Sequence, residues 1–181
     1  MRILIQLIAL LALVASTATA QLRLPKDSLD WPTPRNVLAV NPAGIAVDYL
    51  SVHYVHAVDG HNAVGGFVTF VYRPIGAHLP RGIGAGALYR FYPASQAVWR
   101  FHYGAQLSWL EAWLTSRRDI RASGLGFGMT VGWQWLPIEG FAVGFSVGEQ
   151  YLAPFRQLDN EALERVFGFR PLLSFDLGLA W

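Results

Sequence analysis

The sequence predicts an all-β protein, an eight-stranded antiparallel transmembrane β-barrel behind an N-terminal signal peptide, and three observations carry that expectation. Between Phe169 and Trp181, Pro171, Leu173, Phe175, Leu177, Leu179 and Trp181 fall on one face, and Leu172, Ser174, Asp176, Gly178 and Ala180 on the other. That is the period of two of a strand. The same alternation recurs in the segments upstream. The first residues follow a different pattern: Met1-Arg2 is a basic start, Ile3 to Val14 is almost wholly apolar, and Ala18-Thr19-Ala20 precedes Gln21. This is the form of a cleaved secretory signal, too short to span a membrane as a helix.

Residues 1–20 are therefore expected to be removed, 21–35 to form a periplasmic lead-in and 36–181 to form the barrel. Pro25, Pro32 and Pro34 keep the lead-in from forming a steady helix. Counting backward from Trp181, strands are expected at Phe169 to Trp181, Gly140 to Tyr151, Ser123 to Trp135, Ala97 to Trp113, Arg81 to Tyr92, Asn62 to Tyr72 and Ile45 to His56. A short first strand lies near Arg35 to Asn41. Tight connections at Asp59-Gly60, Pro93-Ala94-Ser95 and Pro137 to Gly140 alternate with longer ones at Pro74 to Pro80, Leu114 to Ala122 and Leu152 to Gly168. Turn residues mark the short set. Such alternation is the asymmetry of a membrane barrel with short periplasmic turns.

Apolar residues make up 53% of the chain, yet after the signal no uninterrupted run approaches a membrane helix. If the chain crosses a membrane, only a closed barrel satisfies its backbone. Trp99, Phe101, Tyr103, Leu107 and Trp109 share a face, as do Leu125, Phe127, Met129, Val131, Trp133 and Trp135. The opposite faces hold His102, Gly104, Gln106 and Ser108, and Gly124, Gly126, Gly128 and Thr130. Large residues outside and small or polar ones inside reverse the order of a soluble sandwich. Tyr92, Trp113, Trp133, Trp135, Tyr151 and Trp181 are expected as interfacial girdles. Alternating glycines lack the spacing of a phosphate loop and instead leave room in a narrow lumen, expected to be filled by side chains. With 14 basic and 12 acidic residues the charge is nearly balanced, which gives no argument for nucleic acid. The chain has no cysteine, so thiol chemistry and disulfides are absent.

The signal, the alternation and the terminal aromatic together resemble small bacterial outer-membrane barrels of the OmpA-transmembrane-domain or OmpX kind. The resemblance implies residence in the outer membrane of a Gram-negative bacterium. It also implies outer-membrane lipids and the barrel-assembly machinery as partners, with Phe175 and Trp181 as the assembly signal. A non-enzymatic structural or surface-interaction role is the expectation. Its alternative is a lipid A-modifying barrel enzyme.

Four residues share inward parity and similar depth: Arg90, Arg100, His102 and Asp176. Buried charges need partners, so they are expected to form a polar network that plugs the lumen, with Arg100 and Asp176 as one pair. A deacylase of the outer-membrane kind would carry a His-x-Ser arrangement, but His102-Tyr103-Gly104 has glycine in the nucleophile's place. Ser51 and His53 have the spacing in reverse order. No cofactor is expected, and His53, His56, His61, His78 and His102 show no ligand pattern for a metal. Arg117, Arg118 and Arg121 form a basic loop suited to lipopolysaccharide phosphates. In the longest loop, Leu158 and Leu163 around Asp159 suggest a short helix ended by Gly168.

Overall fold

The computed structural model describes residues 32–47, 49–72, 80–94, 97–114, 120–156, 161–164 and 166–181. The expected signal peptide and nearly all of the lead-in lie outside that set. The described chain is a closed antiparallel barrel of eight strands in sequence order. They are β1 Asn36–Asn41, β2 Tyr49–Ala57, β3 Asn62–Val71, β4 Pro80–Phe91, β5 Arg100–Leu114, β6 Arg121–Ile138, β7 Phe141–Pro154 and β8 Gly168–Ala180. A 3-10 turn, Pro42–Val47, links β1 to β2, and a one-turn helix, α1 Glu161–Glu164, precedes β8. One end of the barrel, the turn end, carries the connections at 58–61, 92–99 and 139–140; the opposite one is the loop end.

The alternation sets which side chains face out. Leu107, Leu125, Phe127 and Met129 are 64%, 55%, 52% and 60% exposed, while His102, Ser108 and Gln134 on the opposite parity are buried. Slipping one strand by a single residue would exchange the two sets, so this division also fixes the register. The backbone of Trp181 closes the ring: its carbonyl accepts from the amides of Arg35 and Asn36 at 2.9 and 2.8 Å, and its amide donates to Asn36 O at 3.0 Å.

Expected and observed strand ends differ at several places, most at the starts of β2 and β5. Residues 45–47 do not open β2, because Pro42 and Gly44 start a 3-10 turn instead. A Cβ at position 44 would sit 2.5 Å from the Tyr49 carbonyl and 2.8 Å from its ring, so only glycine lets Tyr49 fold back against this turn. At the other end of the molecule, Ala97, Val98 and Trp99 do not open β5. Val98 takes a φ of 62°, and Arg100, at the first position of β5, one of 73°, so no extended run continues upstream of Arg100. The chain turns under the barrel, held by Ala97 N to Gly60 O at 2.9 Å and Tyr92 N to His61 O at 2.7 Å. Tyr92 and Trp99, expected on the outer surface, are buried there. Pro137 remains within β6, where the β6–β7 register shifts between Trp135 and Ile138.

Candidate functional site: the lumen

Inward-facing residues stack in layers from the turn end to the loop end. The lowest layer is apolar: Val37, Val55, Ala63, Tyr92, Val98 and Trp99 are all buried and plug the turn end. Tyr92, Val98 and Trp99 come from the connection between β4 and β5, so a connection that looks like a plain turn in sequence supplies much of the plug.

Directly above lies a polar layer. Arg90 on β4 donates from Nη1 to Gln134 Oε1 on β6 at 3.0 Å. Its Nη2 lies 3.5 Å from His53 Nε2 and 3.8 Å from Asp176 Oδ2. His53 Nε2 is itself 3.7 Å from that carboxylate oxygen. The other oxygen, Oδ1, accepts a hydrogen bond from Ser174 Oγ. At these separations the Arg90–Asp176 contact is an ion pair without a hydrogen bond, fixed by its neighbours rather than by its own geometry. Desolvating an isolated charge is costly, which accounts for one cation and one carboxylate sharing this layer.

His102 is buried and tilts against the Tyr92 ring at 5.3 Å. Neither of its ring nitrogens nor the Tyr92 hydroxyl makes a hydrogen bond of ordinary geometry among the described residues. Gly132 gives the ring its space, since a Cβ there would meet His102 Cε1 at 2.8 Å and Ser146 Cβ at 2.7 Å. Arg100 is placed differently: it is partly exposed, with its guanidinium 4.4 Å from the centre of the Trp99 ring. Among the described residues the ion pairs of Asp176 are with Arg90 and His53, not with Arg100.

Above the polar layer the lumen is not filled. A cavity of about 260 Å³ lies between Ser51, His53 and Arg90 below and Leu110, Leu152 and Val166 above. Part of its wall is polar but internally bonded: Gln106 Nε2 donates to Gln150 Oε1 at 3.1 Å, and Gln150 Nε2 to Ser108 Oγ at 2.7 Å. Phe67, Leu88 and Leu172 supply apolar wall. The roof is a buried cluster in which Leu163, Val166 and Phe167 pack against Leu110, Ala112, Leu114, Ala122 and Leu152. The segment around α1 thus bends inward over the β5–β7 wall; Leu158 and Asp159, expected to start its helix, lie outside the described residues.

The β1–β8 closure is incomplete. β1 pairs with β8 only over residues 37–40 and 177–180, so residues 168–176 of β8 pair with β7 alone. Asn41 continues the ladder with its side chain. Its Oδ1 accepts from Phe175 N at 3.1 Å and its Nδ2 donates to Leu173 O at 3.2 Å, as a peptide group in that place would. Tyr49 Oη adds a 2.7 Å bond to the same carbonyl, and Gly44 N donates to Asn41 Oδ1 at 3.1 Å.

Parity alone pointed to Arg90, His102 and Asp176 as inward residues. His53 and Gln134 join them on inward positions of β2 and β6, and their partnership with Arg90 depends on how β2, β4 and β6 align across the lumen. Asn41 and Tyr49 carried no recognisable signal, because a strand end looks ordinary until its neighbour is known. Arg121 sits on the outer face at the start of β6, 3.3 Å from Glu111 Oε1. Arg117 and Arg118 lie outside the described residues. Comparison with protein-family models, curated proteins and solved structures found no match. The class defined by fold and lumen is therefore a closed eight-stranded barrel with large apolar side chains outside and a polar layer within.

Proposed function

We propose that this chain is a non-enzymatic outer-membrane β-barrel of a Gram-negative bacterium, with a structural or surface-interaction role and a lumen that does not conduct. The observation that carries the reading is the inverted polarity: an exposed apolar surface surrounds the described barrel, while Arg90, His53, His102 and Asp176 are buried inside. A monomer in water rarely exposes apolar patches beyond a few hundred Å². In a bilayer that surface is the lipid contact, with the turn end periplasmic and the loop end external. The plug and the polar layer obstruct a continuous aqueous path. Outer-membrane lipids and the assembly machinery are the partners this reading requires. Arg117, Arg118 and Arg121 would offer guanidinium groups to lipopolysaccharide phosphates. Cell fractionation tests the placement: the folded chain should sediment with the outer membrane and resist carbonate extraction, and recovery in the cytosol would overturn it.

A second reading, a lipid A-modifying enzyme, draws on one observation: Ser51 and His53 both line the cavity, with Asp176 3.7 Å from His53. Mass spectrometry of lipid A from cells with and without the protein separates the two. A mass change abolished by His53→Ala and by Ser51→Ala would favour the enzyme, and an unchanged profile the structural role.

A further inference from the structure

Two features that the structural role does not use meet in one place: the lumen cavity and the incomplete β1–β8 closure. Asn41, Tyr49, Leu172, Leu173 and Ser174 belong to the closure and also line the cavity. The closing elements there are a 3-10 turn and side chains, not a ladder. Residues 49 and 50 of β2 pair only with β3, and residues 168–176 of β8 only with β7. The turn Pro42–Val47 packs along β8 in the space between them. Breaking a ladder costs many backbone hydrogen bonds at once. Opening this seam costs only the contacts of Asn41, Tyr49 and the turn.

Depth decides what the seam faces. Leu173 lies eight residues before Trp181, roughly 20 Å higher at about 3.4 Å per residue and a tilt of about 40°. An outer-membrane barrel's apolar belt is about 25 Å tall. The seam therefore falls in the external half of the bilayer, if the chain sits in the membrane as proposed. Non-helical, unpaired backbone is tolerated at such depth only where protein covers it or where it lines a cavity. Here it does both. The exposed outer face beside it is apolar, with Phe169 76% exposed and Pro171 in the same row. Pro171 offers no amide to a missing neighbour, as suits an edge strand.

Packed side chains close the turn end and cover part of the loop end. Val37, Val55, Tyr92, Val98 and Trp99 fill the turn end, and the Leu163–Val166–Phe167 cluster roofs the β5–β7 side. A molecule entering by the seam comes from the bilayer. Above the polar floor of Ser51, His53 and Arg90 it would meet Phe67, Leu88, Leu110, Leu152 and Leu172, together with amides that already bond one another through Gln106, Gln150 and Ser108. Groups already bonded to each other demand no further polar partner from an occupant. These conditions suit hydrocarbon.

We propose that the lumen cavity takes one acyl chain of a membrane lipid, admitted sideways from the external leaflet through the seam latched by Asn41 and Tyr49. The lipid's head group stays outside the wall. This inference rests on the membrane reading above, and the test separates the two. The protein is folded into vesicles of phosphatidylcholine containing a phosphatidylcholine with a photoactivatable diazirine near the end of one acyl chain. After irradiation, labelled residues are mapped by peptide mass spectrometry.

Labelling of the outward residues Leu107 and Phe127 reports bilayer contact alone. Additional labelling of the inward residues Leu88, Leu110 or Leu172 is the expected result. It should fall at least fivefold in Thr69→Trp, which fills the cavity from β3, and should appear faster in Asn41→Ala/Tyr49→Phe, which loosens the latch. Heat-modifiable mobility checks that both variants fold. Outward labelling without inward labelling in the unaltered protein would overturn the inference and leave the membrane reading standing, the cavity then holding water. Absence of labelling on both faces would overturn both. Inward labelling that Thr69→Trp leaves intact in a folded barrel would also reject the cavity as its source.

Discussion

Asp176 shows how a single residue's parity becomes an energetic statement. Its carboxylate is buried with Arg90 at 3.8 Å and His53 at 3.7 Å, and Ser174 bonds its other oxygen. Truncation leaves Arg90 as an uncompensated buried cation, so Asp176→Ala is expected to cost on the order of 3 kcal/mol. Removing Arg90 as well should recover part of that loss, whereas Arg100→Ala should add to it independently, because Arg100 lies over Trp99 instead. Urea titrations in lipid vesicles would give both cycles. A non-additive Arg100–Asp176 pair and an additive Arg90–Asp176 pair would reverse this assignment. Gly132 offers a second test of the interior. A methyl group there meets Phe145 O, Ser146 Cβ and His102 Cε1, all within 2.8 Å. Gly132→Ala should lose about 1 to 3 kcal/mol through overpacking, and Gly132→Ala/His102→Ala should lose less than the two separate changes predict.

At the scale of elements, two connections can be tested separately. The β2–β3 turn is organised by Asp59, whose carboxylate accepts from His61 N at 2.7 Å and Asn62 N at 2.8 Å, and from the Asn62 side chain. These bonds, the Asn62 amide's first among them, hold its pKa below the ordinary carboxylate value. A depressed folded pKa means that the contribution is present above the unfolded value near 3.8 and is lost as pH falls through the folded value. Carboxyl NMR titration should find the Asp59 midpoint below that of a free aspartate, and Asn62→Ala should move it upward. An unmoved midpoint would remove Asn62 as the cause. The seam makes a different demand, because Asn41 both donates and accepts. Asn41→Gln keeps both an amide donor and an amide acceptor, whereas Asn41→Leu removes both, so Asn41→Gln should weaken closure less. Hydrogen exchange at the amide of Phe175 measures this directly, and equal rates in both variants would reject the ladder-like role of Asn41.

For the whole molecule the decisive comparison is between adjacent residues on one strand. Leu107 is 64% exposed on the outside, and Gln106 points inward to Gln150. In a bilayer, Leu107→Arg should cost about 2 to 4 kcal/mol near the midplane, and Gln106→Asn should cost less, by folding titration in vesicles. Equal penalties would show that the outer surface does not face lipid. The same surface in water would make the arginine variant neutral or more soluble. Planar-bilayer recordings address the interior: a barrel plugged by Tyr92, Val98 and Trp99 should pass no steady current. A persistent open conductance would require the plug to move.

The sequence by itself determined the strand count and the inner and outer faces, because a period of two is a local property of the chain and survives errors at strand ends. It thereby also determined that Arg90, His102 and Asp176 face inward. What it could not determine were contacts made across the lumen and across the closing seam. Arg90 meets His53 and Gln134 only once three separate strands share a level, and Asn41 finds Phe175 only when the first strand reaches the last. Local pattern also misread residues 97–99, whose alternation looks like a strand. Positive φ angles at Val98 and at Arg100, where β5 begins, turn that segment inward, and Val98 and Trp99 gain burial in the plug. Tertiary structure decided those points because the free energy that fixes them comes from neighbours far away in the chain.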